Sequence, residues 1–273
     1  MFHFAFRQWQ KFLPNVLSLV VVALVTLAFV STALADAGDL DPTFGASSSG
    51  IRVTDIGGLA RDNAYGIAVQ TDGKIILVGS TDNDFALARY TSAGNPDATF
   101  SGDGIVTTSI GAFADVAYAV AIQPDGNIVV VGGSDNGTFD TFALARYTPN
   151  GTLDNTFGTG GIVTTTIAGA KATASALVIQ PDGKLIVTGA ANGVFTVVRY
   201  TSTGVLDTTF DTDGIATTTF GNTDQAQAVA LQTDGKIVVL GTSDMGTEDD
   251  FSVARFNADG SLDFDFNLSL IHI

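Results

Sequence analysis

Four short motifs recur in the same order along the chain, which marks an array of like units in which each unit packs on its neighbours. The first reads Gln70-Thr-Asp-Gly-Lys74, Gln123-Pro-Asp-Gly-Asn127, Gln180-Pro-Asp-Gly-Lys184 and Gln232-Thr-Asp-Gly-Lys236, at spacings of 53, 57 and 52 residues. The second is Ala88-Arg-Tyr90, Ala145-Arg-Tyr147, Val198-Arg-Tyr200 and Ala254-Arg-Phe256. The third is Leu40-Asp-Pro-Thr-Phe44, Asn95-Pro-Asp-Ala-Thr-Phe100, Leu153-Asp-Asn-Thr-Phe157, Leu206-Asp-Thr-Thr-Phe210 and Leu262-Asp-Phe-Asp-Phe266. The fourth is Gly50-Ile-Arg-Val-Thr54, Gly104-Ile-Val-Thr-Thr108, Gly161-Ile-Val-Thr-Thr165 and Gly214-Ile-Ala-Thr-Thr218. The units fall at about 50–104, 105–161, 162–214 and 215–266.

Each unit reads as four strands. In the second unit these are Ala117 to Gln123, Asn127 to Val131, Thr141 to Thr148, and an outer strand beginning at Ile105 or Ile162. Val, Ile, Thr, Phe and Tyr dominate them, as a half-buried pleated surface favours. Pro124-Asp125-Gly126 predicts a tight hairpin, with the Asp-Gly pair taking the positive φ angles of a two-residue turn. The second strand is apolar at successive positions, as in Ile128-Val-Val-Val131, so it is expected to be covered on both faces. A four-stranded meander repeated at this period predicts an all-β chain: a β-propeller-like array of four four-stranded antiparallel blades. A β-solenoid is the weaker alternative, since its shorter coils need no tight hairpin in every unit.

Four blades is the low end for a closed ring, so the array also fits as part of a larger, truncated ring. The last unit, Ala226 to Phe256, is followed by no outer strand, and the strand Ile51 to Ile56 precedes the first blade. The expectation is that this N-terminal strand completes the last blade and closes the ring, removing exposed edges. The tail 267–273 matches none of the four motifs and carries no functional reading.

Residues 1–35 read as a helical signal peptide. Arg7 and Lys11 precede an apolar run from Leu13 to Val30, and Ala33-Leu-Ala35 supplies a small-residue cleavage site. Cleavage near Ala35 predicts a chain secreted or held in the cell envelope, extracellular or periplasmic; retention as an anchor is the alternative. The domain proper then spans 36–266. Removing Arg7 and Lys11 leaves 10 basic against 28 acidic residues, a net charge of −18. That surface disfavours nucleic acid and anionic membranes as partners. Glu248 is the sole glutamate, and Asp favours turns and caps, so the charge is expected in loops. The chain has no cysteine, so stability must come from packing rather than disulfides.

At these four motifs the chain resembles the delta-60 repeat family, over about Leu40 to Phe266. The family's units read approximately LDxTFGxxG-GIVTT, AxAVAIQPDGKIVVVG and DFALARYxxxGxLD. The resemblance implies a propeller-like fold in exported, often very large bacterial proteins, with no established biochemical activity. Two places depart from the pattern: Asn127 stands where the hairpin has Lys, and Ala172-Thr-Ala-Ser-Ala-Leu177 lacks the usual aromatic.

No residue emerges as catalytic, cofactor-binding or metal-ligating. The two histidines are His3, in the leader, and His272, in the tail. Without His or Cys elsewhere, the domain offers neither a nucleophilic triad nor a His-containing zinc site. Paired Asp carboxylates could serve glycoside hydrolysis. Here, though, almost every Asp recurs once per unit, whereas a catalytic centre needs one geometry. Arg89, Arg146, Arg199 and Arg255 read either as cations ringing an anionic ligand or as structural hubs paired with the Asp of the Leu-Asp-x-Thr-Phe turn; recurrence favours the hub. Asp72, Asp125, Asp182 and Asp234 read as turn residues, and Phe44, Phe100, Phe157 and Phe210 as plugs between blades.

The loops between second and third strands vary most: 80–84, 134–140, 191–193 and 243–250. Variable polar loops on a rigid scaffold are where specificity concentrates. Their Asp and Asn oxygens could take Ca²⁺, the single cofactor considered, although none has EF-hand spacing. The expected function is a non-enzymatic exported propeller that binds a protein or glycan, or acts as a scaffold. The alternative is a carbohydrate-active enzyme, a glycoside hydrolase or lyase, using channel Asp residues.

Overall fold

The computed structural model describes residues 39–266 apart from 46–48, 58–60, 168 and 170. Residues 1–35, where a signal peptide is expected, and the tail 267–273 lie outside the described residues. Among the described residues fifteen strands, all antiparallel, form four sheets in sequence order. Blade 1 holds β1 (Asn63–Val69), β2 (Ile75–Thr81), β3 (Asp84–Tyr90) and β4 (Ile105–Thr108). Blade 2 holds β5 (Asp115–Ile122), β6 (Ile128–Asp135), β7 (Asp140–Tyr147) and β8 (Ile162–Thr165). Blade 3 holds β9 (Ala172–Ile179), β10 (Leu185–Ala191), β11 (Val194–Tyr200) and β12 (Ile215–Thr218). Blade 4 holds three strands, β13 (Thr223–Leu231), β14 (Ile237–Asp244) and β15 (Asp249–Phe256). The array is propeller-like, as the repeat predicts.

The first strands β1, β5, β9 and β13 converge, each packing on the next in sequence, while the short Gly-Ile-Val-Thr-Thr strands lie outermost. The hydrophobic cores sit between blades. Ile76, Val78, Phe85 and Leu87 of blade 1 meet Ala117, Ile128, Val130 and Tyr147 of blade 2. Equivalent clusters join blades 2 and 3, and blades 3 and 4. This arrangement accounts for the wholly apolar second strands, because both faces of an inner blade are covered.

Two expectations need correction. The Asp-Gly hairpins are three-residue loops: the Gly126 amide donates to the Gln123 carbonyl, and Gln123 and Asn127 close the pair. Gly126 alone in that turn has positive φ, 87°, so this is a type I turn closed by a left-handed residue. The Asp supplies side-chain capping rather than a second positive φ: Asp125 Oδ1 accepts from the Asn127 amide at 3.0 Å.

The second correction concerns closure. Blade 4 has no fourth strand among the described residues, and residues 51–56 form no strand with it. They lie instead on blade 1, where the Tyr90 hydroxyl donates to Thr54 Oγ1 at 2.8 Å. Tyr147 and Tyr200 make the same bond to Thr108 and Thr165 of the preceding blade's outer strand. Residues 51–56 therefore hold the place of an outer strand ahead of blade 1, without bonding to β15. β1 and β13 do not pack together as neighbouring inner strands do.

Candidate functional site

The repeated charged residues build a clamp between blades. Arg89, Arg146, Arg199 and Arg255 hold Asp97, Asp154, Asp207 and Asp263 at 2.7–2.9 Å. Three of them also reach forward: Arg89, Arg146 and Arg199 donate to the carbonyls of Pro149, Ser202 and Ala258 in the next blade's turn. Each guanidinium stacks on the phenylalanine of its own turn, Phe100, Phe157, Phe210 or Phe266, at 4.5–4.7 Å. Phe100, Phe157 and Phe210 are fully buried, against the turn glycines Gly151, Gly204 and Gly260 of the following blade. The arginines are thus structural hubs and the phenylalanines plugs.

A third member of the clamp was not anticipated from the sequence. Lys74, Lys184 and Lys236 of the hairpins reach the same carboxylates, at 3.2, 3.0 and 2.7 Å. Burial alone would raise the Asp97 carboxyl, but the Thr99 hydroxyl and amide, Lys74 and Arg89 outweigh it and bring it down to about 2. Lys236 is the largest influence on Asp263, lowered to about 2 against its desolvation. Asp207 is lowered likewise, its burial outweighed by Thr209, Lys184 and Arg199. In the second unit Asn127 replaces the lysine and turns back to its own Asp125, at 3.0 Å. These carboxylates are consumed by the fold.

A further set of carboxylates, at the start of the inner strands, is equally occupied. Asp115 and Asp224 are fully buried and accept amide hydrogens from Ile110 and Gly111, and from Phe220 and Gly221. Asp62 accepts from the Ile56 amide at 2.7 Å, which holds it below the usual carboxylate range. Each fastens the loop that leads into its blade. In the third unit Ala172 stands at this position.

A recess of about 530 Å³ opens at the inner ends of blades 2 to 4. Tyr118, Lys171, Thr173, Ser175, Asn192, Gln225 and Gln227 contribute polar groups to its lining, and no carboxylate does. A β-bulge in the inner strands of the four blades shapes this side of the molecule. The glycine opposite, such as Gly132, is required because a Cβ there would collide with the Val116 carbonyl oxygen. By ladder register, Ala64, Ala117, Ala174 and Ala226 are equivalent, and the residues beside them on the bulge are Tyr65, Tyr118, Ser175 and Gln227. Ala117, Ala174 and Ala226 pack in the cores, while the bulge residues differ from blade to blade. Tyr65 and Tyr118 are in contact, ring centroids 5.0 Å apart and tilted by 48°, and Tyr65 is half exposed.

Among the variable loops, only Asn192 and Gly193 line this recess. Asn192 Oδ1 accepts from the Lys171 amide at 3.1 Å. In the longer loops Asp135 and Asp244 each cap their own turn, accepting from Gly137 and Gly246 at 2.7 Å. No group of three metal-ligating side chains occurs among the described residues, and no helix among them is long and apolar enough to cross a membrane.

Against known proteins, residues 70–100, 123–157, 180–210 and 232–266 match the family model described as a domain of unknown function (DUF5122) beta-propeller. No curated protein matches the chain. Among solved structures, a streptogramin B lyase is 13% identical with a TM-score of 0.46, over 73% of this chain and 53% of that one. A gluconolactonase from Xanthomonas campestris is 16% identical with a TM-score of 0.47, over 73% and 60%. An endo-arabinanase of glycoside hydrolase type 43 from Bacillus licheniformis is 11% identical with a TM-score of 0.43, over 74% and 77%. The chain spans about half the length of the lyase structures it resembles.

Proposed function

We propose that this is a non-enzymatic, exported propeller module of the delta-60 kind, binding a polar, hydroxyl-rich ligand in the recess formed by its inner strands. The observation that carries the reading is the contrast at the bulge. Alanine recurs at one position in all four blades, while the adjacent position reads Tyr, Tyr, Ser and Gln. Residues that serve the fold repeat; residues freed from it diverge. The tyrosine pair offers apolar ring faces, and Gln225, Gln227, Asn192 and Ser175 offer donors and acceptors. Few convergent polar groups beside aromatic rings suit the faces and hydroxyls of a carbohydrate.

Hydrolysis by channel carboxylates has less support. Asp97, Asp154, Asp207 and Asp263 are clamped, and Asp62, Asp115 and Asp224 hold loop amides. The leader-like sequence of residues 1–35 supports secretion or residence in the cell envelope.

The test is a glycan array with the processed protein, followed by titration of any hit against a Tyr65→Ala/Tyr118→Ala variant. Saturable binding that falls at least tenfold in the variant, with the glycan recovered intact, is the expected result. Cleavage of the glycan would transfer support to the enzyme reading. Binding indifferent to both tyrosines would place the site elsewhere.

A further inference from the structure

We propose that two copies of this chain associate head to tail, the open face of blade 4 on one copy docking against blade 1 of the other. The two faces are the unmatched halves of an interface that the structure already contains three times. Phe85, Phe142 and Phe195 are wholly buried against the following blade, but their equivalent Phe251 is 85% exposed. Leu87, Leu144 and Val197 are buried, whereas Val253 is 37% exposed. Val78, Val131 and Thr188 are buried, whereas Leu240 is 46% exposed. The same face of the sheet is sealed in blades 1 to 3 and open in blade 4.

The clamp is unmatched in the same sense. Arg89, Arg146 and Arg199 each grip a turn carbonyl of the next blade, while Arg255 instead approaches Gln232 Oε1 of its own blade at 3.4 Å. Its side chain is 19% exposed, against 4–7% for the other three. At the other end, the carbonyl equivalent to those of Pro149, Ser202 and Ala258 belongs to Ser92, and no arginine among the described residues reaches it. Blade 1 also leaves Ile67 and Val69 each 64% exposed on its inner strand.

The missing outer strand completes the match. Among the described residues β14 is the one strand paired with β15, and residues 51–54 already sit on blade 1 as the outer strand of a preceding blade would. Docking by the repeat register sets Phe251 opposite the partner copy's Thr54, and Val253 opposite its Arg52, as Phe85 pairs with Thr108 and Leu87 with Val106. A head-to-tail contact of this kind is heterologous and closes into a ring or extends, depending on the rotation per copy. One seat is contested: residues 40–45 and 262–266 are copies of the same turn, and Phe44 occupies the position over Gly94 that Phe266 of the docked copy would take. Association therefore displaces residues 40–45 of the incoming copy.

The processed protein, which has no native cysteine, is made as an Arg52→Cys/Val253→Cys variant and oxidised. Crosslinked species of twice the chain mass or more on a non-reducing gel, collapsing on reduction, are expected. A crosslinked species of single-chain mass would overturn the proposal in favour of a ring closed within one chain, and so would the absence of crosslinking. Light scattering of the unmodified chain supplies a second measurement: a mass of at least two chains is expected, falling to one in Phe251→Glu. That substitution lies on an exposed position, so a folded variant is expected, with its far-ultraviolet circular dichroism unchanged. An unmodified chain that stays monomeric at 100-fold excess over the concentration of the crosslinking reaction overturns the proposal outright.

Discussion

The Tyr147 hydroxyl of one blade donates to Thr108 Oγ1 of the blade before it, at 2.7 Å and out of contact with water. Burial raises the Tyr147 phenol well above its ordinary range, so the ring stays neutral and serves only as a hydrogen-bond donor. Tyr200 and Thr165 repeat the bond at 2.8 Å. In the fourth unit Phe256 stands at the position of these tyrosines and has no hydroxyl to donate.

Tyr147→Phe removes this bond without changing the packing volume and leaves the Thr108 hydroxyl without its partner. The cost is about 1–2 kcal/mol. Chemical denaturation of the variant should show a lower midpoint at unchanged slope.

Arg199 does three things in the clamp: it pairs with Asp207 at 2.7 Å, bonds the Ala258 carbonyl at 2.6 Å and stacks on Phe210. Arg199→Ala leaves Asp207 buried beside Lys184 alone, and costs about 3–5 kcal/mol. Arg199→Lys restores the charge but not the fork that serves carboxylate and carbonyl together, and should recover less than half of that loss. Full recovery by lysine would mean that charge alone matters there.

Acid should loosen the blades before it loosens anything else. Asp97 and Asp263 have folded values near 2, below the unfolded carboxylate value of about 4. Carboxyls lowered in the folded state contribute stability that is complete above the unfolded value and is lost as pH falls through the folded one. The melting temperature should therefore hold from pH 7 to about 5 and fall steadily between about 4 and 2. A Lys74→Met variant, lacking one of the cations on Asp97, should show a shallower fall.

The array, its four units and the hub role of the arginines were legible because they rest on residues repeated in register. The recess was not, because its signal is the opposite: Tyr118, Ser175 and Gln227, which line it, share a position with Tyr65 and nothing else. Only the ladder register, with its bulge, reveals them as equivalents. The hairpin lysines were missed for a different reason. Lys74 and Asp97 are brought together across two strands and a turn, a distance at which sequence spacing says nothing about contact. Closure by residues 51–56 was misjudged because the same strand position serves two neighbours: it completes one blade and covers the next. The structure satisfies the second relation, through Tyr90 and Thr54, without the first.

Calcium removal should leave the protein unchanged. The loop carboxylates Asp135 and Asp244 are engaged by backbone amides of their own turns. A melting curve recorded with and without EGTA should superimpose; a fall of several degrees on chelation would show that these loops carry an ion.

The most specific consequence of the clamp lies at the copy that lacks its lysine. Asp154 has Arg146 at 2.9 Å and no lysine, because Asn127 replaces it, and its side chain is 13% exposed where the other three are at 4–7%. Asn127→Lys places an ammonium where Lys74, Lys184 and Lys236 sit in the other units, on a backbone turn of the same conformation. The substitution gives up only the exposed bond from Asn127 to Asp125. The added ion pair is partly shielded, so a gain of about 0.5–1 kcal/mol is expected, at the upper end of what surface pairs contribute. Thermal melting should show Asn127→Lys more stable at pH 7, with the difference lost in acid as Asp154, held below the usual carboxylate range by Thr156 and Arg146, takes up its proton. A gain that persisted in acid would have to come from something other than the Asp154 carboxylate.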